Sequence, residues 1–296
     1  MEESNLEKLN SNKKAKVGII VSVIMILLGV GALIYNFCVL NDKEEKKEEK
    51  EVVDNDARTL QSYPYFYIVT AKYGATNEYK EFIDKTFGTN AEERFRVYFQ
   101  WYNVVHELAH GLITYNSNIS YVDRLVKSKQ EGYLEEQLVN DFAVAYWKKY
   151  GDSEKVQMVK DTVDYILSNM KDPTDGKKTY LEYGKEIMSS SKEPTFEEYG
   201  WFQFSCVKAA FEKNLTLEEA YKNLGLAKEV KFDDEILTYD KIDETVSDKV
   251  ISDTVAKFKK WGLNIGEIYH AFDNDPNNNY SAPLSVAEYN SLKNSN

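Results

Sequence analysis

The sequence predicts a mainly α soluble domain, with a small sheet near its start, carried behind an N-terminal transmembrane helix. Three observations support this: an uncharged run from Val17 to Tyr35 that FCVL extends to Leu40, one β-branched and aromatic stretch over 63–71, and a series of helix-opening signals after it. The chain has 296 residues, 43% of them hydrophobic and 14% aromatic, enough for one sizeable core or two small ones. Its 37 Lys+Arg stand against 49 Asp+Glu, a formal charge of -12, with no long basic block. Phosphate binding needs clustered Lys and Arg, so nucleic acid is not an expected partner. There are two cysteines, Cys38 and Cys206, and Cys38 falls in the apolar run, so neither a disulfide framework nor a Cys-rich zinc ribbon can be built.

The apolar run is long enough to cross a hydrocarbon core, which takes about 20 residues. YNFC offers no small residues for signal cleavage, and bulky Phe37 precedes Cys38, so an uncleaved anchor over 17–40 is expected. Lys13, Lys14 and Lys16 abut its N-terminal end, which puts residues 1–16 inside as a short cytoplasmic tail and the rest outside the cytoplasm. Residues 41–58 mix lysines and acids with few core-forming side chains and read as a solvated stalk. The main domain is expected over 59–225, with a helical extension of it over 226–296.

Within the domain, YPYFYIVTA over 63–71 is the best strand candidate. Asn90 with Glu93 reads as a cap opening a helix to about Tyr115, whose largely apolar second half suits a domain interior. A second helix is expected from Glu131 to Tyr150, stopped by Gly151, and a third from about Ser153 to Met170, before the turn-forming KDPTDG. Thr195 with Glu198, Thr216 with Glu219 and Ser285 with Glu288 form three more capping boxes. Glu267-Ile268-Tyr269-His270 reads as an E-x-x-H on a helix. There is no internal repeat and no Gly-rich phosphate loop.

The chemistry is concentrated at His106-Glu107-Leu108-Ala109-His110, which holds two of the three histidines in the chain. On a helix, positions i and i+4 share a face, so both imidazoles can ligate one zinc ion. Glu107 flanks that face, where it can take a proton from a water that zinc acidifies. Two imidazoles and a carboxylate among Val104, Val105, Leu108 and Leu112 are costly to bury unless something pairs with them. A catalytic zinc needs a third protein ligand. The three-His extension of the motif is missing, because Ile113 stands in its Gly place and Asn116 in its third His place. An acid on another helix is therefore expected, and both Glu135 and Glu136 open the next strong helix.

HELAHG followed by Glu136-Gln137-Leu138-Val139-Asn140-Asp141-Phe142-Ala143 resembles the gluzincin metallopeptidases, and among them the ImmA/IrrE-like group, over about Val104 to Trp147. In that group H-E-x-x-H is followed by E-x-x-A-N-x-F-A, and Val139 stands here where Ala is usual. The resemblance implies an α+β zincin-like domain and hydrolysis of a peptide or protein substrate. It maps the third zinc ligand onto Glu136. Helical phase leans the same way: Glu136, Val139, Asn140 and Ala143 share one face, on which Asn140 could hydrogen-bond a ligand, whereas Glu135 lies with Leu138, Val139 and Phe142.

Two rival readings use the same residues. Glu107–His110 and Glu267–His270 are both E-x-x-H pairs, half of the ligand set of a di-iron carboxylate bundle. A non-enzymatic, membrane-tethered helical binding protein is the other, although a structural zinc would want a fourth protein ligand. Under the peptidase reading His270 is a candidate oxyanion donor.

Overall fold

The computed structural model describes residues 65–117, 121–190, 194–226 and 228–272. The expected anchor over 17–40, the stalk over 41–58 and the Ser285/Glu288 box lie outside the described residues. Strand β1 (Tyr65–Thr70) occupies the stretch picked out in the sequence. Its partner is β2 (Glu267–Phe272), which runs parallel to it in a two-stranded sheet, with Tyr65 opposite Glu267 and Thr70 opposite Phe272. Residues 267–272 are thus a strand and not the expected helix. Six residues as rich in β-branched and aromatic types as EIYHAF are ambiguous alone, and pairing with β1 decides them.

Between the strands the fold is helical. Helix α1 (Asn77–Phe87) opens on Thr76, whose hydroxyl accepts from the Tyr79 N–H. The long helix expected from residue 90 is a continuous run of three parts: α2 (Ala91–Phe95), a π-helical segment (Arg96–Tyr102) and α3 (Asn103–Asn116). Asn90 does not cap it through its side chain. It sits in the left-handed region at φ 59° and accepts the Arg94 N–H with its carbonyl instead. In the π segment the Asn103 N–H reaches back to the Tyr98 carbonyl, five residues away. The widened turn spreads side chains around the axis, and everything from Val97 to Tyr102 is buried.

Helix α4 (Tyr121–Tyr150) begins ahead of the expected Glu131 because no Gly or Pro interrupts the preceding residues. Helix α5 (Ser153–Asn169) is capped by Asp152, which accepts from the Glu154 and Lys155 N–H groups. Helix α6 (Tyr180–Ser189) opens on a Thr179/Glu182 capping box that the sequence reading passed over. Helices α7 (Phe196–Lys213) and α8 (Leu217–Asn223) open on the expected Thr195/Glu198 and Thr216/Glu219 boxes. Such caps contribute about 1 kcal/mol each. Between α8 and α9 (Val246–Lys260) the described residues form no helix or strand, and side chains tie that stretch down. Asp233 accepts from buried Lys257 at 2.8 Å and from the Trp261 indole at 3.3 Å.

Helix α3 lies at the centre, packed against α4, α9 and β1. Gly111 keeps one side of it slim, because a Cβ there would come within 3.3 Å of Ile265 and 3.6 Å of Phe66 on β1. The core beside it is aromatic, with Trp101 stacked on Trp147 at 3.9 Å between ring centroids. Among the described residues no helix is long and apolar enough to cross a membrane.

Candidate metal centre

One turn of α3 separates His106 from His110, and their ring centroids are 5.0 Å apart. Helix α4 packs across that face and delivers Glu136 between the two rings. Glu136 Oε2 lies 3.4 Å from His106 Nε2 and 3.7 Å from His110 Nε2. One ligand-type atom from each of the three residues falls within 4.8 Å of the others, and all three residues are buried. His110 Nε2 and Glu136 Oε2 are left with no hydrogen-bond partner.

The outer edges of the rings are held. Asn140 Oδ1 stands 3.1 Å from His106 Nδ1 and also accepts from the Tyr102 hydroxyl at 2.9 Å. The Asn140 amide donates back to the Glu136 carbonyl at 2.8 Å, one turn away on α4. Glu135 Oε1 stands 2.7 Å from His110 Nδ1. Since Asn140 Oδ1 and the Glu135 carboxylate can only accept, each His carries its proton on Nδ1 and turns Nε2 toward Glu136. The sequence left Glu135 and Glu136 open as third ligand, and only Glu136 joins the convergent group.

Glu107 is 2% exposed, with Oε1 3.9 Å from His106 Nε2. The Asn103 amide donates to Oε1 at 3.1 Å, while Oε2 is buried without a partner. Burial pushes the Glu107 carboxyl above its usual range, with the two imidazoles opposing. Burial would depress His110, but Glu136 and then Glu135 outweigh it and raise its pKa to about 10. Burial likewise opposes ionisation of Glu136, yet His110 and His106 hold it well below the carboxylate range. The three residues form a buried, closely coupled group on which a divalent cation would compete with protons. Two further phenols, Tyr98 and Tyr199, lie within electrostatic reach of Glu136 and Glu107, and burial above all keeps both neutral.

His270 is not part of this group. On β2 its Nε2 meets Thr70 Oγ1 at 2.7 Å and its Nδ1 meets Asp248 on α9 at 2.8 Å. Both ring nitrogens are engaged, which leaves no free N–H for the oxyanion role expected of it. Residues three apart on a strand face opposite sides, so Glu267 and His270 cannot act as an E-x-x-H ligand pair. Sequence reasoning missed Asn103, Tyr102 and the part played by Glu135. The i, i+4 spacing of Asn103 and Glu107 was a readable signal, whereas the Glu135–His110 contact depends on how α4 crosses α3. Compared with protein-family models, curated proteins and solved structures, the chain finds no match.

Proposed function

We propose that the chain is a membrane-anchored, zinc-dependent metallopeptidase with an α+β zincin-like domain of gluzincin type. The observation that carries this reading is the convergence of His106 Nε2, His110 Nε2 and Glu136 Oε2 on one buried point while Asn140 and Glu135 hold the outer ring nitrogens. Zinc bonds of about 2.0–2.1 Å to N and O set tetrahedral edges of about 3.3–3.4 Å. The 3.4 and 3.7 Å separations are close to that. Two imidazoles and one carboxylate are also a ligand set of catalytic zinc that leaves a fourth position for water or substrate. Zinc bound there supplies Lewis acidity toward a peptide carbonyl and makes a neighbouring water more acidic.

The chain's own residues do the proton work. Glu107, whose Oε1 stands 3.9 Å from His106 Nε2, takes a proton as water adds to the scissile carbonyl and returns it to the departing amine. The buried surroundings strengthen every charge interaction made during that transfer. The di-iron alternative loses its second E-x-x-H to strand geometry. A closed structural zinc would need a fourth protein ligand, and among the described residues the metal-capable group has three members.

The full-length chain in detergent should hydrolyse denatured casein, lose activity on chelation and regain it with zinc. Activity indifferent to chelation would sink the proposal. For the anchor, protease added to intact cells should release the domain that follows the stalk, and protection until lysis would reverse the orientation.

A further inference from the structure

Helix α3 begins at Asn103, at the point where the π segment ends and its last wide turn closes on the Asn103 N–H. One α-turn later stands Glu107, whose two carboxylate oxygens have unequal surroundings. Oε1 receives the Asn103 amide at 3.1 Å and faces His106 Nε2 at 3.9 Å. Oε2 is buried and has no hydrogen-bond partner. A buried carboxylate oxygen without a donor is costly, so an arrangement that leaves one in place invites a functional explanation. The terminal torsion of Glu is broad and nearly two-fold, and helical geometry alone does not decide which oxygen points where. The single side-chain hydrogen bond from Asn103 does decide it.

We propose that Asn103 is the positioning residue of Glu107: by holding Oε1 it fixes the plane of the carboxylate that takes the proton and keeps it turned to His106 Nε2, 3.9 Å from Oε1. The inference rests on the peptidase reading and adds to it a residue that lies outside the H-E-x-x-H motif. The amide must donate, since its own oxygen would repel the carboxylate, so the isosteric Asp has the right shape and the wrong chemistry. Hydrogen bonds to charged groups have a strength that corresponds to about a 10- to 100-fold effect.

The test is a double-mutant cycle on the zinc-loaded, full-length chain in detergent, with casein-derived peptide as substrate. Asn103→Ala should lower kcat by about 10- to 100-fold, with KM and zinc stoichiometry unchanged. Asn103→Asp should be at least as impaired, although it keeps the shape. In a Glu107→Gln background, removing Asn103 should change the residual rate by less than about threefold, because the group it positions is already gone. An equal fold-loss in both backgrounds, a loss of zinc in Asn103→Ala, or full activity in Asn103→Asp would each overturn the inference. Hydrolysis by the parent with no loss in Asn103→Ala takes down this inference alone. A parent with no zinc-dependent hydrolysis takes down the peptidase reading, and this inference with it.

Discussion

Glu107→Gln should keep its zinc and lose turnover by about 100- to 10,000-fold, the range general-base catalysis contributes. The amide has nearly the shape of the carboxylate, so the ligand group of His106, His110 and Glu136 has no steric reason to shift. What is lost is the carboxylate's capacity to accept a proton. Burial raises the proton affinity of the native carboxyl above the usual range. Zinc stoichiometry and kcat must be read on the same preparation. A Gln variant that hydrolyses peptide as fast as the parent removes Glu107 from the mechanism.

Glu136→Ala should weaken zinc binding by more than about 100-fold, whereas Glu135→Ala should weaken it by about 10- to 100-fold and still fill stoichiometrically at saturating zinc. The difference follows from position. Glu136 is 1% exposed and aims Oε2 between both Nε2 atoms, so its removal would take away one of the three proposed ligands. Glu135 meets the outer nitrogen of His110, where it fixes the tautomer and increases the basicity of the ring. Competition against a zinc-responsive dye measures both affinities. Exchanged behaviour would mean that the helix register is off by one, and stoichiometric zinc in both variants at low concentration would place the third ligand elsewhere.

The parts of this arrangement that obey local periodicity were legible in the sequence. His106 and His110 share a face by i, i+4 spacing, Glu136 and Asn140 by the same rule on the next helix, and Asn140 meets His106 across the two helices. The Thr195 and Thr216 caps were legible for the same local reason. What failed depends on distant partners or unusual backbone. Strand β2 exists because it pairs with β1, with His270 and Thr70 in contact across 200 residues, and no window of sequence contains both. Asn90 has the residue type of a cap but a left-handed backbone, and its side chain makes no cap hydrogen bond. The π segment carries no composition of its own, being as aromatic as the core around it. Glu135 looked like plain core by helical phase, and the crossing of α4 over α3 brings it to His110.

The most direct measurement of the central claim is zinc-edge X-ray absorption on the full-length chain loaded with one equivalent of zinc. The account predicts a first shell of nitrogen and oxygen at about 2.0–2.2 Å, with the outer-shell scattering of two imidazoles and no sulfur. Glu136→Ala should change that shell. A sulfur contribution near about 2.3 Å, or a spectrum with no imidazole scattering, would contradict the assignment of His106, His110 and Glu136 as the zinc site.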